Sequence, residues 1–251
     1  MINILLCGSG GKMGNAVRRV AENDSFINIA AGYDINNSGC DFPVYDNLDN
    51  VAEDIDCIID FSHFSLTDGI LDFAKAKKIP AVICTTGLSK EQISKINFYS
   101  KEIPIFFSAN MSIGVNLIID LVQKASKVLE SNFDIEIIEK HHNQKLDAPS
   151  GTALMIADGI KSVREDSEYI YDRTQVRQKR AQNEIGIHAV RGGSIVGEHE
   201  VLFAGRNENI TLRHSALSRE VFADGALKAA EYLKGKGAGM YNMSNVLEEL
   251  I

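Results

Sequence analysis

The sequence predicts an α/β chain in which a doubly wound parallel sheet is followed by a second, α+β domain built on a mostly antiparallel sheet. Three observations carry this expectation. A short apolar run at 2–7 leads straight into the glycine-rich turn Gly8-Ser9-Gly10-Gly11-Lys12-Met13-Gly14. Apolar runs at 57–61, 81–84 and 105–107 alternate with segments of helical spacing at 66–76 and 90–100, the rhythm of βαβ units. After residue 113 the rhythm changes, and a long helix over 113–129 is followed by strand-like runs at 134–140, 185–190, 194–203 and 209–214.

The first unit runs from strand 2–7 through the glycine turn and a helix over 15–22 to a strand at 27–31 that ends near Asp34. In such a unit the glycines permit a tight turn, close approach of a pyrophosphate and close packing of helix on strand, with phosphates resting on the helix N-terminus. Gly8, Gly10 and Gly14 give G-x-G-x-x-x-G, one residue longer than the usual spacing, while Gly8, Gly11 and Gly14 offer a regular three-residue interval. Asp34 falls where a carboxylate accepts bonds from the ribose hydroxyls of a dinucleotide. Met13 follows Lys12 and leaves no hydroxyl for magnesium, which disfavours a P-loop. This is a Rossmann-like arrangement. Ile35, Asn36 and Asn37 follow the acid, so no local cation awaits a 2′-phosphate and NADH is favoured over NADPH. Lys12 either reaches over the loop or is a solvated first-turn lysine.

Turn residues at the strand ends, Ser62-His63, Thr85-Thr86-Gly87 and Ala109-Asn110, gather along the carboxyl edge, where this architecture binds its ligand; His63 reads as a rim residue. The polar segment 162–183 reads as a solvated excursion, with a lid or subunit contact as the alternative. Arg191-Gly192-Gly193 reads as a hairpin turn. Residues 218–234 return to helical spacing, and Arg219 reads equally as a helix-start surface residue or a carboxylate ligand.

The densest chemistry lies at 139–154, Glu-Lys-His-His-Asn-Gln-Lys-Leu-Asp-Ala-Pro-Ser-Gly-Thr-Ala-Leu, on a loop between a strand and a helix over 152–160. Either His141 or His142 suits a general acid, because an unperturbed histidine titrates at about 6.5. Lys145 adds a cation, and Ser150-Gly151-Thr152 opens a helix whose first N–H groups attract anions. Ser150 alone reads as a cap. The glycine beside it is unnecessary for capping but lets a ligand approach the main chain. Together the cluster resembles a carboxylate clamp.

Composition narrows the class. The 251 residues suffice for a substantial core, and a formal charge of −8 argues against a general nucleic-acid partner. Cys7, Cys40, Cys57 and Cys84 are too widely spaced for a familiar zinc pattern and read as reduced thiols, so no metal is expected. No apolar run approaches the length of a membrane span and no secretory h-region precedes the first strand. A cytoplasmic protein without a membrane partner is the expectation.

The glycine loop, Thr85-Thr86-Gly87, the run from Ser108 through Asn116, the stretch 139–154, Val196-Gly197-Glu198-His199 and the 219–226 region together resemble the dihydrodipicolinate reductase family, also called 4-hydroxy-tetrahydrodipicolinate reductase. The resemblance runs in register over nearly the whole chain, and its His-His to Ser-Gly-Thr segment is highly specific. It implies an oxidoreductase of diaminopimelate and lysine biosynthesis that reduces a small cyclic dicarboxylate with NADH or NADPH. It further implies His141 as proton donor, Lys145 as substrate binder and helper, and His142, Ser150, Gly151 and Thr152 on the substrate carboxylate. Gly8, Gly10, Gly11, Lys12, Met13, Gly14 and Asp34 would hold the cofactor, with Thr85, Thr86, Gly87, Ala109, Asn110 and Met111 at its nicotinamide end. The implied domains are 1–112 with 218–251 for the dinucleotide and 113–217 for substrate and oligomerisation, with hinges at 112–114 and 215–218 that would carry His141 toward the nicotinamide, and a homotetramer formed through the second sheet. Two departures stand out: Ile35 where many members carry Arg, and Asn143-Gln144 where the family is richer in His or Arg. Two other classes share parts of the pattern. A two-domain sugar or amino-acid dehydrogenase usually shows Glu-Lys-Pro where this chain has Glu139-Lys140-His141, and a redox sensor would need the glycine loop but not the cluster.

Overall fold

Strand β1 (Ile2–Cys7) is apolar at almost every position because both of its faces are covered, and this sets the architecture of the first half. The computed structural model describes residues 1–36, 39–174 and 176–250, with the Ser131 side chain left aside; Asn37 therefore lies outside the described residues. In chain order β1 is followed by α1 (Lys12–Ala21), β2 (Ile27–Tyr33), β3 (Val44–Tyr45), β4 (Cys57–Asp60), α2 (Thr67–Lys77), β5 (Ala81–Ile83), α3 (Lys90–Tyr99) and β6 (Pro104–Phe107). Then come α4 (Ile113–Leu129), β7 (Asp134–His141), α5 (Gly151–Lys161), β8 (Glu168–Ile170), β9 (Glu184–Arg191), β10 (Gly197–Ala204), β11 (Asn209–Ala216), α6 (Glu220–Leu233), β12 (Gly239–Tyr241) and α7 (Met243–Leu250). The chain divides into two compact units, Met1–Ile113 with Arg219–Ile251, and Gly114–Ser218.

The first unit holds a seven-stranded sheet in the order β12-β6-β5-β4-β1-β2-β3, and every pairing in it is parallel. Ile4, Leu6, Ile59, Val82 and Phe106 meet Ala16 and Val17 of α1 and Ala226 and Leu227 of α6 on one face. Leu5, Ile58, Ile83 and Ile105 meet Ile70, Leu71 and Phe73 of α2 and Ile96 of α3 on the other. Each aliphatic side chain fully removed from water contributes roughly 1.5–3 kcal/mol. The strand order reverses between β1 and β4, so their carboxyl ends open the crevice that this topology uses for ligands. The strands β3, β8 and β12 and the helix α7 are absent from the sequence reading; the strands have only two or three residues, too few to carry a period.

The second unit holds a five-stranded sheet, β11-β10-β7-β9-β8. It is mixed: β10 runs antiparallel to β11 and to β7, whereas β7, β9 and β8 are parallel. The parallel half requires a crossover, which α5 supplies after β7. One face of the sheet, carrying Ile135, Ile137, Ile185, Ile187, Val201 and Phe203, packs against Ile118 and Val122 of α4 and Ala153, Ile156, Ala157 and Ile160 of α5.

Two expectations are corrected here. Residues 191–193 do not close a hairpin, since β9 and β10 flank β7 and the connection passes over the end of that strand. The 162–183 segment is not a plain solvated loop: it contains β8, Arg173 pairs with Glu184, and Arg180 is bound by Asp134, Glu136 and the Ile135 carbonyl. Among the described residues no helix is long and apolar enough to cross a membrane.

Candidate active site

In the second unit the side chains of β7 alternate between its two faces, so Ile135, Ile137, Glu139 and His141 share the covered face. The first two belong to the core; the next two convert its upper end into a polar site. His199 reaches the same end from β10 by the same parity, after Phe203 and Val201, and Arg191 comes from β9, where it lies opposite His141. Glu139 is fully buried and His141 is 8% exposed.

Glu139 is saturated with donors. Arg191 forks onto it, Nη2 to Oε1 at 2.7 Å and Nη1 to Oε2 at 2.8 Å, and the Ser150 N–H donates to Oε1 at 3.0 Å. His141 Nδ1 lies 2.6 Å from Oε2. Burial pushes this carboxyl up, but the bonds from Arg191 and His141 outweigh it and hold Glu139 below the usual range, so it is ionised at neutral pH. Burial pushes His141 below its ordinary value; Glu139 opposes this, while Lys145 and Arg191 act in the same direction as burial. The free protein at neutral pH therefore carries His141 as the uncharged ring.

Ser150 is buried and its groups are committed. Its Oγ accepts from Ala153 N at 3.1 Å, capping α5, and shares a 3.0 Å hydrogen bond with His199 Nε2. Gly151, the first residue of α5, is exposed, and no atom lies within 4 Å of where a Cβ would stand. Thr152 follows, half-buried. Lys145 is drawn to Asp147, Nζ to Oδ1 at 2.9 Å, and His142 is half-buried at the start of the same loop. The rings of His141 and His199 meet edge-on with centroids 5.2 Å apart. Burial, with His141 adding to it, lowers His199 to about 3. Glu139, Arg191 and His199 hold this site together, yet the sequence reading gave them no role. The missed signal was polar residues at core-parity positions of two strands.

In the first unit the glycine loop is packed beyond the tolerance of any side chain. A Cβ on Gly14 would stand 2.2 Å from the Gly8 carbonyl oxygen, one on Gly10 would stand 2.6 Å from the Asn36 oxygen, and one on Gly8, at φ +78°, would stand 2.8 Å from the Phe61 oxygen. Gly8, Gly10 and Gly14 thus fill the three structural positions. Gly11 is the N-cap of α1, with Lys12 exposed in its first turn. Asp34 accepts from the N–H groups of Gly10 and Asn36, both at 3.0 Å, and Ile35 is 94% exposed.

Beside the loop lies a cavity of about 290 Å³ lined by Met13, Ser62, Thr85, Thr86, Asn110 and Met111 among others. Ala109 lines it too, and Gly87 is exposed next to Thr86 in the chain. Buried Asp60, another residue without a sequence signal, ties this rim together: it accepts from Ser62 Oγ at 2.6 Å and Thr85 Oγ1 at 2.9 Å. Burial raises its pKa against those bonds. Gly225 of α6 lets the Met111 backbone approach, since a Cβ there would overlap Met111 O. Exposed His63 stays on the rim, its Nδ1 accepting from Ser65 N.

Comparison with known proteins agrees with this architecture. Residues 2–111 match the family described as dihydrodipicolinate reductase, N-terminus, and residues 114–247 match its C-terminus. The 4-hydroxy-tetrahydrodipicolinate reductase of Caldanaerobacter subterraneus subsp. tengcongensis is 54% identical over 250 residues, covering 99% of each chain. That of Clostridium tetani is 53% identical, covering 98% of this chain and 97% of its own. A dipicolinate-bound dihydrodipicolinate reductase from Paenisporosarcina sp. TG-14 superposes with a TM-score of 0.81 at 26% identity, covering 96% of this chain and 97% of its own. With both halves matched and such identity over its full length, the chain belongs to the dihydrodipicolinate reductase family.

Proposed function

We propose that this chain catalyses the reduction of 4-hydroxy-tetrahydrodipicolinate to tetrahydrodipicolinate and water by NAD(P)H in diaminopimelate and lysine biosynthesis, with the proton supplied by His141. The observation that carries the reading is the single loop that joins His141, Lys145 and the open start of α5. An acid, a cation and main-chain donors are the groups a dianionic ring needs when it takes up a hydride and a proton.

The tight glycine turn between β1 and the start of α1 fits a dinucleotide, and Gly8, Gly10, Gly11, Lys12, Met13, Gly14 and Asp34 would hold it. When bound, the dinucleotide supplies the hydride. Thr85, Thr86, Gly87, Ala109, Asn110 and Met111 would line its nicotinamide end. Gly151, Thr152 and His142 would take one substrate carboxylate, with Ser150 joining if it exchanges its bond to His199. Lys145 would leave Asp147 for the substrate. The negative substrate favours the imidazolium form of His141, which gives up its proton as charge develops and returns to the neutral ring.

Further parts of the reading rest on single features. NADH is preferred because Ile35 places no cation next to Asp34. The chain assembles as a homotetramer through the sheet face opposite α4 and α5, where Ile138 and Leu202 are half-buried and Val190 is exposed. A cytoplasmic setting fits four free thiols. The test is dinucleotide oxidation on adding freshly formed cyclic product of aspartate semialdehyde and pyruvate. Turnover with a higher kcat/KM for NADH than for NADPH is expected; an absence of oxidation with either would overturn the proposal.

A further inference from the structure

A fully buried carboxylate at a core position is costly unless it is paired and hydrogen-bonded. At residue 139 the parity of β7 calls for a third isoleucine, after Ile135 and Ile137, yet the chain places Glu there and surrounds it with Arg191, Ser150 N–H and His141. An ionised carboxylate only accepts hydrogen bonds, so the 2.6 Å contact requires the hydrogen of His141 to sit on Nδ1. The opposite nitrogen, Nε2, bonds to no described residue. A Cβ on Gly197 would stand 3.1 Å from it, so the glycine keeps that flank of the ring clear. Arg191 is anchored in turn, donating to the carbonyls of Asp147 at 2.6 Å and Val190 at 2.8 Å.

We infer that Glu139, clamped by Arg191, is a positioning residue for His141: it fixes the ring plane and the Nδ1–H tautomer, so that Nε2 is the nitrogen that gains and delivers the proton. This rests on the reading of His141 as proton donor. On substrate binding Nε2 takes one proton from solvent; in the reaction that N–H bond breaks as the bond to substrate forms, and the neutral Nδ1–H ring is regenerated. The charged and titratable groups around His141 are Glu139 on its own strand, Arg191 from β9, His199 from β10 with His214 beyond it, and Lys145 and Asp147 from the loop. Glu139 is the anion that bonds directly to the ring.

The test has two arms. Nitrogen-15 NMR of imidazole-labelled protein without substrate reads the tautomer of His141 independently of catalysis. Wild type shows hydrogen on Nδ1, and Glu139→Gln shows a mixture or hydrogen on Nε2. In the second arm, kcat is followed against pH. An acid must be protonated, so kcat falls as pH rises through its value in the complex, and loss of the adjacent anion moves that limb down by about one unit or more. Above the limb, Glu139→Gln is then about tenfold or more slower than wild type, with the dicarboxylate KM little changed. If the single variant fails to fold because Arg191 is left unpaired, Glu139→Gln/Arg191→Met removes both ends of the pair; loss of the cation offsets part of the limb shift, so this variant is read by its tautomer, and hydrogen on Nδ1 as in wild type overturns the inference. An unchanged tautomer together with an unmoved limb overturns the inference and leaves Glu139 with a structural role. Retained turnover in His141→Ala would instead overturn the proton-donor reading, and the NMR arm still decides whether Glu139 orients the ring.

Discussion

Lowering the pH from 7 to 5 should remove about 2 kcal/mol of folding stability through His199 alone. The ring is buried on β10 and its pKa is lowered from 6.5 to about 3, chiefly by burial. A depressed folded value means that the neutral ring stabilises the fold in full above pH 6.5, and that this contribution is lost progressively as pH falls toward the folded value. Over this interval the unfolded chain takes up a proton that the folded chain refuses. Integrating that uptake gives about 2 kcal/mol between pH 7 and 5, and the figure hardly changes if the folded value is a unit higher. Burial also lowers His141 and His214, which add in the same direction. The comparison is therefore wild type against His199→Gln, which keeps a polar group for Ser150 Oγ but does not titrate. Urea unfolding at pH 7, 6 and 5 should show wild type losing about 2 kcal/mol more than the variant. Equal losses in the two proteins would refute the account of His199 as a ring held neutral by burial.

Two glycine substitutions should separate packing from ligand approach. Gly14→Ala forces a methyl against the Gly8 oxygen and should cost about 1–3 kcal/mol or more in thermal unfolding; an unaltered melting temperature would mean that the loop is not packed as described. Gly151→Ala meets open space, so it should leave the melting temperature near wild type while raising KM for the dicarboxylate; unchanged KM would remove α5 from the substrate site. Ile35→Arg, at a fully solvated position, should shift the NADPH to NADH ratio of kcat/KM upward by roughly tenfold or more through charge-assisted bonds to the 2′-phosphate. No shift would place the 2′ position away from residue 35.

Strands β1, β4, β5 and β6 were legible because burial on both faces writes them as continuous apolar runs, and α1 was announced by the glycines before it. His141, Lys145 and Ser150 were legible as a local cluster, since their chemistry lies within a few residues. Arg191 was not. Its role is set by the strand order, which places β7 between β9 and β10 and brings residue 191 beside residue 141. Glu139 was visible only as the start of a motif, because its meaning depends on which face of β7 is covered. Asp60 falls inside the apolar run 57–61 and carries no signal of its own until its bonds to Ser62 and Thr85 are seen. The pinning of 162–183 was hidden for a similar reason: Arg180 finds its carboxylates on β7, more than forty residues earlier in the chain.

The central claim is that the imidazole of His141 delivers the proton that accompanies hydride transfer. Its most direct test is single-turnover reduction by His141→Ala, with dinucleotide affinity measured by fluorescence on the same sample. The account predicts a fall in the reduction rate of about 10²–10⁴-fold with the dinucleotide Kd essentially unchanged. A variant that reduces its substrate at the wild-type rate, or one that loses rate only in proportion to dinucleotide binding, would contradict it.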